Sequence, residues 1–189
     1  MSEKCPPAEA APVSVSLSAG QPTSCEEHIS AAAIAAAAEV GISHPLNPNS
    51  QVFFRAFATS GGGKSLSEVA GLQRLGVHLV RIPPGKESFA YHSHHTEEEF
   101  VYIVSGRGIA EINDREVEIG PGDFLGFRTP GCAHHIKNPF GEDLVCLMGG
   151  ERREIEIAEF PRLGMRLIRT KLSGEAIQVK DQKTIWKFE

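Results

Sequence analysis

The sequence contains no C-x-x-C pair. Its four cysteines, Cys5, Cys25, Cys132 and Cys146, are spread widely over 189 residues, which excludes a zinc knuckle, suggests no disulfide framework and points to a reducing compartment. Basic charge is also scarce: the net charge is -5 and the Lys and Arg residues are scattered, so no nucleic-acid partner is expected. Long apolar runs are missing, because the longest, Ala31 to Ala38, is too short and too weakly hydrophobic to span a bilayer. Nor does the N-terminus carry a basic stretch followed by an apolar one. The expectation is a soluble, cytoplasmic protein without a membrane partner. There is no H-E-x-x-H for a helical zinc site, no internal repeat and no helix-turn-helix in the Ala-rich N-terminus. Ser60-Gly-Gly-Gly-Lys64-Ser65 falls short of a phosphate loop, since alanine stands at residue 58 where the first glycine belongs. That stretch reads as a glycine-rich hairpin or surface loop.

A chain that is 41% hydrophobic and 23% charged has the composition of one globular domain with an appended segment. Residues 1–23, rich in Pro, Ala and Ser, read as a loosely ordered arm. Residues 24–50 read as an N-terminal helix and linker: Ser24 and Glu27 resemble a capping box, the helix is predicted over Cys25 to Val40, and Gly41 is its stop. From residue 51 to 160 the pattern becomes short apolar or alternating runs: Val52 to Ala58, Gly76 to Ile82, Phe100 to Val104, Ile109 to Ile112, Val117 to Ile119, Phe124 to Phe127 and Asp143 to Met148. Turn signals such as Pro83-Pro84-Gly85, Asn113-Asp114 and Gly120-Pro121-Gly122 separate them, which predicts an all-β sandwich or barrel. Phe89, Phe124, Phe127 and Ile136 are its expected lining. Glu154 to Phe160 and a C-terminal extension, residues 161–189, add one or two strands and a tail.

One stretch, Gly85 to Gly106, concentrates three histidines and three glutamates beside a strand. In extended chain, residues two apart share a face, so His92 and His94 aim at one point. Glu99 opens the next strand and meets them; Glu98 takes its place if the turn is one residue shorter. His134, after the turn at Pro130-Gly131, returns as a fourth ligand. Three neutral imidazoles and one carboxylate suit one divalent ion among Fe, Mn, Ni, Co and Zn. His95 and His135 alternate away from their neighbours, and Glu97 and Glu98 are expected to face solvent. Tyr91, Arg81, Arg128 and Tyr102 are candidates for contacting an anionic substrate.

These residues resemble the two signature motifs of the cupin superfamily. The first is matched by Gly85, His92-x-His94, Glu99 and Gly106, and the second by Gly122, Pro130, Gly131, His134 and Asn138. The first motif carries one extra residue between Gly85 and His92, and the second carries two, while the ligand spacing holds. The resemblance implies a double-stranded β-helix, the cupin jelly roll, with His92, His94, Glu99 and His134 as ligands over roughly residues 75–150. It is strongest to bacterial single-domain cupins.

A divalent ion held by three neutral histidines and one carboxylate keeps a net positive charge and, if octahedral, two open positions for a small oxygen-rich substrate. The leading expectation is a dioxygenase acting on an enol, diol or anionic molecule. The alternatives are a non-redox isomerase, lyase or decarboxylase, and a non-catalytic small-molecule sensor. The N-terminal helix and the strand Val52 to Ala58 suggest a homodimer.

Overall fold

The computed structural model describes residues 28–59, 62–170 and 176–180. The expected arm over residues 1–23 and the Ser24–Glu27 capping box lie outside them. In chain order the elements are α1 (Ala31–Ala36), β1 (Ala38–Ile42), β2 (Val52–Thr59), β3 (Gly62–Lys64), α2 (Leu66–Val69), β4 (Leu75–Ile82), β5 (Lys86–Glu87), β6 (Ser93–His94), β7 (Glu99–Ser105) and β8 (Gly108–Ile112). There follow β9 (Arg115–Ile119), β10 (Phe124–Phe127), β11 (His134–Asn138), β12 (Leu144–Glu151), β13 (Ile155–Phe160), a 3-10 turn at Pro161–Leu163, β14 (Met165–Thr170) and β15 (Ala176–Lys180).

The strands form the jelly roll expected for a cupin. One sheet runs β1-β2-β4-β12-β7-β10 with β3 added on β2, a second runs β5-β11-β8-β9, and a third runs β15-β14-β13-β6. All strand pairings are antiparallel among the described residues. Between the first two sheets lies a core of Val52, Val80, Ile82, Ile103, Leu144, Cys146 and their neighbours. Alternation explains it, since Val80, Cys146 and Ile103 face each other in register across β4, β12 and β7 and all three are buried. A smaller cluster of Ala90, Ala158, Phe160 and Met165 closes the third sheet.

Turn chemistry fixes the hairpins. Asn113 and Asp114 both adopt positive φ, 49° and 59°, which makes the two-residue connection from β8 to β9 a primed turn. Gly106 has φ of +76°, and a Cβ there would lie 2.1 Å from the Asp143 carbonyl oxygen, so this motif position admits only glycine.

The long N-terminal helix is corrected. Among the described residues of that run only Ala31–Ala36 is helical, capped by Ser30, whose Oγ accepts from Ala33 N at 3.1 Å. The helix buries none of its residues, so nothing but propensity extends it, and the chain turns extended at Ala37. Beyond, Val40 and Ile42 pair with Phe54 and Val52; sheet pairing outweighs helix propensity once the β-branched residues begin. Gly41, expected as a stop, sits inside β1 opposite Phe53, whose ring lies 3.0 Å from where its Cβ would be.

Two further differences concern the barrel wall. Phe127 and Ile136 are buried as expected, but Phe124 is 66% exposed and stacks on Phe100 outside the core, with centroids 5.9 Å apart. The strands expected after residue 154 are β13 and β14, and β14 pairs with β13 along its whole length, so the wall extends past the expected barrel limit at residue 160. The segment Gly62–Lys64 pairs back on β2, the hairpin expected of the glycine-rich stretch. After it Ser65 and Glu68 form a full capping box on α2.

Candidate metal centre

His92 and His134, far apart in sequence, face each other across an isolated antiparallel bridge. His92 N donates to His134 O at 3.2 Å, and His134 N donates to His92 O at 2.8 Å. The bridge makes the pair neighbours, with ring centroids 5.0 Å apart. His94 follows two residues after His92 on the same side, its centroid 4.8 Å away. The turn before His134 is locked onto this segment, since Gly131 N donates to His94 O at 2.9 Å. A Cβ on Gly131 would press to 3.1 Å on that oxygen.

Glu99, at the start of β7, completes the group. Its Oε2 lies 3.3 Å from His94 Nε2 and 3.2 Å from His134 Nε2. One ligand atom each from His92, His94 and Glu99 falls within a 4.8 Å span. His134 joins through Glu99, its ring stacked flat on Phe127 with centroids 3.6 Å apart.

The imidazoles are oriented from behind. His92 Nδ1 is 2.7 Å from the Ala90 carbonyl, His134 Nδ1 is 2.9 Å from the Cys132 carbonyl, and His94 Nδ1 is 3.1 Å from Glu156 Oε1. Carbonyl and carboxylate oxygens accept, so Nδ1 carries a proton in each ring and Nε2 is the atom turned to the centre. His94 Nε2 is fully buried without a directed hydrogen bond, despite the carboxylate beside it. Nε2 atoms and a carboxylate that converge on one point fit a cation at that point.

The electrostatics agree. Burial, with His134 and His94 nearby, drives the His92 pKa down to about 3, so this ring is neutral. Burial pushes His94 the same way, but the Glu156 and Glu99 carboxylates beside it prevail and raise it to about 10. Burial opposes ionisation of Glu99, yet His134 and His94 hold its carboxyl well below the usual range. The centre therefore favours an ionised Glu99 with positive charge beside it.

Sequence reasoning missed Glu156, which is 2% exposed and also accepts from His95 N and Thr96 N, each at 3.1 Å. Glu97 is corrected: it is buried rather than solvent-facing, accepting from Arg153 N at 2.6 Å and from Arg169 Nη2 at 2.5 Å. Glu98 is exposed, and Glu99 is the carboxylate among the histidines. His95 turns outward to Glu159 at 3.1 Å. His135 turns toward Tyr91 and Glu111, its Nε2 3.3 Å from the carboxylate. His94, Glu97 and Glu156 also lie close together; Arg169 and the Arg153 amide hold Glu97, and the His95 and Thr96 amides hold Glu156.

A cavity of about 290 Å³ opens over the centre, bounded by Phe54, Phe89, Phe100 and Met148 on its apolar side. Its polar lining includes His78, Glu97, Arg152 and Arg169, none foreseen as substrate contacts. Three of the four residues that were expected lie elsewhere. Tyr91 is buried, with its hydroxyl accepting from Asp114 N at 2.9 Å and Arg162 stacked on its ring. Arg81 stacks on Phe53 and pairs with Glu39 and Asp143. Tyr102 is 40% exposed on the face of β7 opposite Glu99, as alternation requires. Arg128 rims a second depression, which Glu99 also borders.

The sequence model of the cupin domain matches residues 78–150, the span that holds all four centre residues. An oxalate-binding protein of Thermotoga maritima is 34% identical over 91 residues, which cover 44% of this chain and 74% of that protein. Among solved structures, a protein of Acidithiobacillus ferrooxidans named provisionally as a sugar phosphate isomerase is 36% identical, with a TM-score of 0.76 over 85% of this chain and 97% of that one. A sugar phosphate isomerase from a cupin superfamily, of Silicibacter pomeroyi, is 22% identical with a TM-score of 0.66, covering 77% and 89%; it shows the same fold. With the jelly roll and the two histidine motifs in place, these likenesses settle the family: the chain belongs to the cupins.

Proposed function

We propose that this cupin is a metal-dependent enzyme that rearranges a small hydroxy-carbonyl or carboxylate compound without net redox change. The observation that carries the reading is the set of Nε2 atoms turned on one point beside Glu99, at the foot of an open cavity. The relative named provisionally as a sugar phosphate isomerase, 36% identical over most of both chains, favours isomerase-type chemistry over the dioxygenase expected from the sequence.

His92, His94, Glu99 and His134 would hold the divalent ion, which when bound supplies Lewis-acid polarisation of a chelating oxygen pair. Glu156 holds the His94 tautomer. Glu97, buried at the cavity wall, accepts one bond on each oxygen, from Arg153 N and from Arg169; the second lone pair of each makes it the carboxylate assigned to take a substrate proton and return it to the neighbouring carbon. The apolar wall keeps bulk water from the reacting carbons. Two copies are proposed to meet at β1, an edge strand exposed at all five residues; a concentration-independent monomer in sedimentation ends that part. A cytoplasmic location belongs to the same proposal. Among the described residues no helix is long and apolar enough to cross a membrane.

The test combines elemental analysis of the purified protein with assays of aldose–ketose pairs in air and under anaerobic conditions. Turnover that is independent of O2 is the expected result. Stoichiometric O2 uptake would overturn it in favour of a dioxygenase, and tight binding without product in favour of a sensor.

A further inference from the structure

Two glycines and an arginine at the cavity wall extend the site beyond the metal centre. Stepping outward from the buried row Val80–Cys146–Ile103, the inner face of β4, β12 and β7 presents first His78, Met148 and Val101, then Gly76, Gly150 and Glu99. In that last row only Glu99 carries a side chain. Strands lie about 4.8 Å apart, so this row is a track roughly 10 Å long from the Glu99 strand to Gly76, and its glycines are overlaid by neighbours: Glu99 Cγ lies 2.9 Å from the point a Cβ on Gly150 would occupy.

The far end of the track is basic. Arg152 Nε lies 3.2 Å, and His78 Nε2 lies 3.7 Å, from the point a Cβ on Gly76 would occupy. Arg152 is only partly exposed, and among the described residues its guanidinium makes no hydrogen bond. Its closest carboxylate, Glu68, is 3.7 Å away, and that side chain is engaged by Ser65 in the capping box. The neighbouring cations are committed: Arg169 to Glu97 and Arg153 to Glu151. Those pairings offset the charge of Glu97 and Glu151 at the cavity wall. Outside, Arg74, Arg152 and the Arg153–Glu151 pair border a further depression, which keeps an excess of positive charge that draws in anions.

Resting on the metal reading above, we propose that Arg152 and His78 form a phosphate subsite, selecting substrates whose phosphate lies a sugar-length carbon chain from their chelating oxygens. A guanidinium offers a planar fork of donors and an imidazole a single one from another direction, which suits an oxyanion with three free oxygens better than a planar carboxylate. No side chain is rooted on Gly150 or Gly76, so the two ends stand roughly two strand spacings apart.

Isothermal titration of the full chain with inorganic phosphate, D-ribose 5-phosphate and D-ribose tests this. Wild type is expected to bind inorganic phosphate, and to bind ribose 5-phosphate at least about tenfold more tightly than ribose. Arg152→Gln is expected to abolish both the phosphate binding and the tenfold preference, with metal content and melting temperature unchanged, and Arg152→Lys to restore part of the binding. Equal binding of the two sugars, absence of phosphate binding by wild type, or a preference that survives Arg152→Gln each overturns the subsite. A failed metal reading is recognisable separately: the wild-type chain then holds no metal, while Arg152-dependent phosphate binding persists.

Discussion

Glu156 holds Nδ1 of His94 at 3.1 Å from a strand that begins more than sixty residues later. The pairing of β13 with β6, Ala158 opposite His94, puts that carboxylate behind the imidazole. Glu156→Gln is expected to weaken metal binding by about ten- to a hundredfold, as loss of such a supporting partner does. Chelator competition measures it, and an unchanged affinity removes Glu156 from the centre.

His94→Ala and Glu99→Ala should each leave the purified protein nearly free of metal, whereas His95→Gln and Glu98→Ala should keep wild-type content. The second pair is aimed elsewhere, at Glu159 and at solvent. Elemental analysis of the four variants decides, and full metal in the first pair refutes the assignment.

Glu97→Gln is expected to lower kcat by about a hundredfold while metal content stays at the wild-type level, because the amide no longer accepts a proton. Retained turnover would give the proton transfer to another group.

Away from the centre, Glu111 bonds the guanidinium of Arg162 and the ammonium of Lys137, the latter at 2.8 Å. Arg162 first, then Lys137, depress its pKa to about 2 from an ordinary 4.5, against the opposing effect of burial. A depressed folded-state pKa stabilises above the unfolded value, so this contribution is complete above pH 4.5 and is lost as pH falls toward 2. Its size is about 2 kcal/mol, reduced because both cations are partly exposed. Urea titrations at pH 6 and pH 3 should show Glu111→Gln costing stability at the higher pH and much less at the lower; an equal cost at both contradicts the linkage.

Gly106→Ala should destabilise by about 2 kcal/mol or more, since it combines strain at positive φ with a collision against the Asp143 carbonyl. A shift in the urea midpoint measures it, and an unchanged midpoint would show that the β7–β8 turn relaxes freely.

Much of the protein was legible in its sequence. Period-two alternation located the barrel strands within a residue or two in most cases, because a half-buried strand must show one face to the core. The Asn113-Asp114 turn was readable because few residues tolerate its backbone. His92, His94 and Glu99 were readable because their geometry is local. Tertiary structure decided what depends on partners distant in the chain. The Ala-rich run became a short helix and then β1 once Val40 and Ile42 found β2. Glu97 was buried by Arg169, and Glu156 was carried behind His94 by a strand pairing that leaves no local signal. Arg81 and Tyr91 were drawn into contacts away from the cavity, while His78, Arg152 and Arg169 reached it. A strand's pattern states which face is apolar; which charged groups meet at its end is settled only when the sheets close.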